Sequence, residues 1–145
     1  MKANFLGYST LLPVRLRIPL FLERIHAGFP SPAQDYVEKT LDLNELCIQH
    51  PAATFFVRVE GDSMIDAGIH SGDVLVVDKS LTARHDDIVV ASVDGEFTVK
   101  ILATHPRIAL IPANKAFKSI EFVDGDQLEI FGVVTSVVRK VQRKL

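Results

Sequence analysis

Asp94-Gly95 stands between two apolar runs, 87–93 and 96–103, and constrains the fold more than any other pair in the chain. An Asp-Gly pair readily adopts the two positive φ angles of a type I′ turn, whose twist matches that of two antiparallel strands. The pair predicts a tight hairpin. Further strand-like runs at 54–59, 73–78, 107–112 and 128–138 are separated by turn residues that include Gly61, Gly68, Gly72 and Gly125. Many short strands punctuated in this way predict a mainly β, compact fold of short, folded-over strands. The last run holds the uncharged stretch Ile130-Phe131-Gly132-Val133-Val134-Thr135-Ser136-Val137-Val138. Left as an exposed edge it would recruit other chains, so it is expected either as a central strand or as a dimer interface.

Residues 1–30 read differently. Val14, Leu16, Ile18, Leu20 and Leu22 alternate with Arg15, Arg17, Pro19 and Phe21, which gives an extended segment one apolar face. Pro13, Pro19, Pro30 and Pro32 oppose a long helix. The expected organisation is an extended N-terminal arm over 1–30 and a β-rich domain over 31–145. Ser31 can cap, Pro32 suits a first helical position and Gln34 completes a capping box, so a short helix is expected from there to about residue 40. Asp42-Leu43-Asn44-Glu45 is an acidic variant of the same box and predicts a second short helix reaching Cys47 or Ile48.

Composition narrows the function. The chain has 145 residues, enough for one domain with a real core plus an arm. Lys and Arg number 16 against 18 Asp and Glu, a net charge of −2, so no basic field advertises nucleic-acid binding. The basic cluster Arg139-Lys140-Val141-Gln142-Arg143-Lys144 reads as a solvated terminus. Cys47 is the only cysteine, which excludes an intrachain disulfide, and no Cys/His group has zinc spacing. No metal or other cofactor is expected. The apolar segment 14–25 contains Arg15, Arg17, Glu23 and Arg24, so it is neither a membrane span nor a signal peptide. The cytoplasm is the expected location.

Two polar residues carry the chemistry. Ser63 lies in the turn Gly61-Asp62-Ser63-Met64, just after the run 54–59, and Lys100 lies inside the run 96–103. A serine hydroxyl becomes nucleophilic when a neighbouring base takes its proton. Lysine can be that base only when neutral, and at its ordinary pKa roughly one in a few thousand is neutral at pH 7. Burial that lowers the pKa to about 7–8 raises the neutral fraction to tens of per cent. Strict alternation, however, puts Lys100 on the face of Thr98, opposite Phe97, Val99 and Ile101, and so predicts a solvent-facing lysine. Gly-Asp-Ser-Met alone is weak too, because these residues are common in turns.

Resemblance adds what local pattern lacks. Gly61-Asp62-Ser63-Met64-Ile65-Asp66, Gly72-Asp73 and Val93-Asp94-Gly95-Glu96-Phe97-Thr98-Val99-Lys100 resemble the UmuD/LexA family of self-cleaving serine peptidases. Ala27-Gly28-Phe29-Pro30-Ser31-Pro32, Asp35-Tyr36-Val37-Glu38, Ile48-Gln49-His50-Pro51, Ile111-Pro112 with Asn114, and Phe131-Gly132-Val133-Val134 are similar to the UmuD branch in particular. The resemblance implies a compact LexA-type peptidase fold. It implies Ser63 as nucleophile, Lys100 as general base, backbone N–H groups of Asp62 and Ser63 as oxyanion hole, and Ala27-Gly28 as the bond cut. It also implies a homodimer, stimulation by a RecA filament on single-stranded DNA, and service of the trimmed product as accessory subunit of a Y-family translesion DNA polymerase. Where relatives in that branch carry cysteine before the scissile glycine, this chain carries alanine, as the repressor branch also does.

Three other readings compete. Bacterial signal peptidases also pair serine with lysine, but they carry a membrane anchor and a proline two residues beyond the methionine, where this chain has Asp66. A LexA or phage-type repressor shares the dyad but adds an N-terminal DNA-binding domain, so sequence-specific DNA binding is not expected here. The third is a β-rich interaction module whose serine and lysine are incidental. His26 is expected to be a substrate residue beside the cut, and His50, His70, His85 and His105 are expected to be solvated in turns.

Overall fold

A computed structural model describes residues 1–9, 18–21, 37–123 and 127–141, with 18–21 and 37–40 described by their backbone alone. The strands are β1 (Lys2–Tyr8), β2 (Ile18–Phe21), β3 (Val37–Leu41), β4 (Thr54–Glu60), β5 (Val74–Asp78), β6 (Ile88–Val93), β7 (Glu96–Ala103), β8 (Ala109–Ile111), β9 (Ile120–Glu121) and β10 (Leu128–Val138). One short helix, α1, spans Leu43–Cys47. The main sheet runs β1-β4-β5-β10-β6-β7-β8-β9, and β1 also pairs with β7. Six strands, β1, β4, β5, β10, β6 and β7, therefore close on themselves as a barrel, and β2 pairs with β3 apart from it. Every step of the main order is antiparallel.

The Asp-Gly hairpin forms as expected. Asp94 has φ 50° and Gly95 φ 86°, and the ladder starts at Val93↔Glu96. The long apolar strand β10 sits in the middle of the sheet, paired with β6 from Leu128↔Val93 and with β5 to Val138↔Val74. Two register shifts, at Ile130/Gly132 and Val134/Ser136, let one strand serve both neighbours. Gly132 is required there. A Cβ at that position would lie 2.7 Å from Val77 Cγ1 and 3.0 Å from the Asp78 carbonyl oxygen.

Inward-facing residues of these strands make two clusters. Val57, Val59, Leu75, Val77, Val90 and Val99 pack with Met64 and Ile69 in one, and Val89, Ala91, Leu102, Leu110 and Val133 pack in the other. Fully burying a Val, Leu or Met side chain contributes about 1.5–3 kcal/mol, so these clusters carry the fold.

Helix α1 begins as the capping box predicts, with the Asp42 carboxylate accepting from the Asn44 N–H at 2.9 Å. The helix expected through residue 40 does not form over its last part. Residues 37–41 are β3, which pairs antiparallel with β2 from Phe21↔Val37 to Ile18↔Leu41. An extended partner offers Val37 and Thr40, both β-branched, a ladder that a lone helical turn cannot match. The start of that predicted helix, residues 31–36, lies outside the described residues. Within the first thirty residues, β1 lies against β4 as a strand of the main sheet.

Candidate active site

Strand β4 leads into the turn that carries Ser63. Gly61 takes φ +100°, and the Ile65 N–H closes the turn on the Asp62 carbonyl at 3.2 Å. Met64, fully buried, pins the turn to the core. The loop after β8 buttresses it from outside. There the Asn114 side-chain amide donates to the Asp62 carbonyl at 2.8 Å, the Ala113 N–H to Met64 Sδ at 3.4 Å, and the Asp66 N–H to the Ala113 carbonyl at 2.8 Å. Among the described residues, the N–H groups of Asp62 and Ser63 donate to no acceptor.

Lys100 comes from the middle of β7, opposite Val89 of β6. Its Nζ lies 3.1 Å from Ser63 Oγ, 2.8 Å from Thr98 Oγ1 and 3.2 Å from the Val99 carbonyl oxygen. As an ammonium it donates to all three. As a neutral amine it offers its lone pair to the Ser63 hydroxyl, which then donates. The expectation of a solvent-facing lysine is overturned, since Lys100 is 6% exposed and Ser63 1%. Alternation did hold, with Val99 facing the core. The opposite face, however, is covered by the serine turn and by Met1. Burial pushes the Lys100 pKa below the ordinary lysine value, against an opposing contribution from its hydrogen bond with the α-amine of Met1.

Met1 sits directly on the pair. Its amine donates to Ser63 Oγ at 2.5 Å, and its carbonyl accepts from the Val99 N–H at 3.0 Å and the Thr98 hydroxyl at 2.9 Å. Burial and the neighbouring Lys100 hold the amine pKa down to about 5. Nothing in the sequence pattern pointed to Met1, Thr98 or Asn114 as neighbours of the serine. Only the adjacency of Thr98 to Lys100 on one strand face hinted at a contact.

Ser63, Asp62 and Lys100 are thus brought together, while Ala27, Gly28 and His26 lie outside the described residues. His50 and His105 are exposed, as expected, and His85 is half-buried, but all three also have partners. His50 Nδ1 lies 2.6 Å from the buried Asp78 carboxylate, and the rings of His85 and His105 stack at 3.8 Å. The Asp78 carboxylate also accepts from the Ser80 N–H at 2.8 Å and the Ser80 hydroxyl at 2.6 Å. His70 is exposed, as expected. Among the described residues, no cluster of three or more His, Cys, Asp or Glu side chains is placed to hold a metal ion. No described helix is long and apolar enough to cross a membrane.

A serine hydroxyl and a buried lysine amine in contact, at the end of one strand and the middle of another, invite comparison with known peptidases. Residues 19–135 match the family described as Peptidase S24-like. The chain belongs to that family. It is similar to the SamA protein of Salmonella typhimurium, 55% identical over 130 residues that cover 90% of this chain and 91% of SamA. Its identity to the MucA protein of Escherichia coli is 57% over 120 residues, covering 81% of this chain and 82% of MucA. The LexA repressor of Alcanivorax borkumensis is 43% identical over 118 residues, which are 80% of this chain and 56% of the repressor. This S24 member is UmuD-like, a serine peptidase of the UmuD/LexA kind. The family match begins at residue 19 and leaves β1 outside it.

Proposed function

We propose that this S24 peptidase cuts its own Ala27-Gly28 bond with Ser63 and Lys100, as a switch in the SOS response to DNA damage. The observation that carries the reading is the 3.1 Å contact between Lys100 Nζ and Ser63 Oγ in a water-poor setting. Neutral Lys100 takes the Ser63 proton as Oγ attacks the Ala27 carbonyl carbon. The N–H groups of Asp62 and Ser63 receive the oxyanion. The C–N bond then breaks, and protonated Lys100 gives its proton to the departing Gly28 amine. Water, deprotonated by the same amine, hydrolyses the Ala27 ester and frees Ser63. No other co-reactant is needed.

Because the Ala27-Gly28 bond lies in the same chain as Ser63 and Lys100, no bimolecular encounter is needed, which is worth a large effective concentration. A RecA filament on single-stranded DNA raises the population of the cleavable state and donates no catalytic group. The product, residues 28–145, dimerises and serves as accessory subunit of a Y-family translesion polymerase. Similarity to MucA and SamA supports this role, and the absence of a basic field supports action without sequence-specific DNA binding. The deciding experiment is incubation of the purified chain at about pH 10, where lysine becomes neutral without RecA. Mass spectrometry is expected to find a cut after Ala27 in the wild type and none in Ser63→Ala. Equal cleavage by Ser63→Ala would remove the reading.

A further inference from the structure

Ser63 is covered by a strand that does not belong to the matched family segment. β1 lies before residue 19, where the S24 match starts, yet it closes the barrel between β4 and β7. Met1, the residue before it, fills the space in front of the nucleophile. Met1 bonds through its backbone to Ser63 Oγ, the Val99 N–H and the Thr98 hydroxyl, and a Cβ on Gly61 would lie 3.8 Å from Met1 Cα. A peptide bond attacked by Ser63 must bring its carbonyl carbon to within about 3–3.5 Å of Oγ. That volume is taken. With Ser63 1% exposed, no second backbone can reach it while β1 stays.

The strand is fastened unevenly. Toward β4 it pairs from Lys2↔Glu60 to Tyr8↔Phe55, with Ala3 buried and the Phe5 ring 5.9 Å from that of Phe55. Toward β7 its one pairing is Lys2↔Thr98. Beyond that point an open groove of about 770 Å³ separates β1 from the β6–β7 hairpin, bordered by Asn4, Asp94, Glu96 and Phe97. Withdrawal of β1 therefore breaks its ladder with β4, the single pairing with β7 and the bonds at Met1, while every other strand pair of the sheet stays intact.

We propose that β1 is a built-in occupant of the catalytic cleft, which must leave before the segment bearing the scissile bond can enter. The rate of self-cleavage is then the intrinsic rate multiplied by the fraction of molecules with β1 released. This inference rests on the reading of Ser63 and Lys100 as the cleaving pair.

The test locks the strand. Asn4 and Arg58 are paired in register and both exposed, and the Cα separation of such antiparallel pairs, about 4.5–5.5 Å, suits a disulfide. The variant N4C/R58C is made in a Cys47→Ser background, so that no other thiol competes. At about pH 10 its reduced form is expected to cleave near the wild-type rate, the oxidised form at least about tenfold more slowly, and dithiothreitol to restore the rate. Phe5→Asp tests the opposite direction by removing the ring contact to Phe55 from an exposed position. It is expected to speed hydrogen exchange at the Val99 amide, whose acceptor is Met1, and to speed cleavage in parallel. Equal rates for oxidised and reduced N4C/R58C, or faster Val99 exchange without faster cleavage, overturn this inference alone. No cleavage in any form, wild type included, overturns the reading of the pair and this inference with it.

Discussion

Lys100 and Asp73 are both buried ionisable groups, and the barrel treats them in opposite ways. Asp73, 2% exposed, accepts from Arg139 Nε and Nη2, each at 2.6 Å, and from the His70 N–H at 2.8 Å. The Arg139 guanidinium holds its carboxyl below the usual carboxylate range, and the backbone bond adds to this. Lys100, almost as buried, touches two hydroxyls, a carbonyl and the Met1 amine, and no carboxylate among the described residues pairs with it. A counter-ion keeps a buried charge in place. Neutral oxygens position an amine and leave its proton free to go. One site is built to hold a charge and the other to lose one.

Taking the amine away is expected to have the largest effect. Lys100→Met is expected to lower self-cleavage by about 100- to 10,000-fold, the usual worth of a general base. It should also raise the melting temperature at pH 7 by about 2–4 °C, because burying a charged lysine opposes folding. The sign follows from the lowered pKa of Lys100. Its cost to the folded state is present at neutral pH and disappears as pH rises toward the ordinary lysine value of 10.5. The gap between the two melting curves should therefore close at alkaline pH. Cleavage by Lys100→Met at the wild-type rate would end the argument that an unpaired buried amine is the base.

Removing the partner from the other site should hurt stability and spare chemistry. Arg139→Ala is expected to lower the melting temperature by several degrees at neutral pH. Asp73 has a depressed pKa, so its contribution exists above the ordinary carboxyl value of 3.8 and is lost as pH falls through the lowered one. The deficit of the variant should shrink in acid, as calorimetry across pH would show. The pH midpoint of cleavage should stay where it is in the wild type. A shifted midpoint would mean that the two sites are coupled.

The smallest effect is expected at the serine turn. Asn114→Ala removes the amide that holds the Asp62 carbonyl, and about a fivefold fall in the plateau cleavage rate is expected from loss of one hydrogen bond of about 1 kcal/mol. The pH midpoint should not move, since Lys100 keeps all its contacts. A shifted midpoint, or an unchanged plateau, would remove Asn114 from the positioning of Ser63.

Much of the barrel was legible beforehand. The Asp94-Gly95 hairpin, the capped helix after Asp42 and the full length of β10 depend on angles and patterns within a few residues, and they formed where expected. The end of the helix predicted before residue 40 did not form. Its capping signal is local, whereas the β2 partner that turns residues 37–41 into β3 is some twenty residues away in the chain. At the site, the type and turn of Ser63 were readable. The burial of Lys100 was not, since one strand's alternation tells which residues share a face and not what covers that face.

By itself, then, the sequence determined the short strands, their tight turn and the two residue types able to do acyl-transfer chemistry, because backbone propensity and side-chain chemistry are local. Only the tertiary structure decided that Ser63 meets Lys100, 37 residues on, in a dry pocket, and that Met1, 62 residues before the serine, lies across both. Burial and desolvation come from neighbours distant in the chain. An amine's readiness to give up its proton is set by those neighbours.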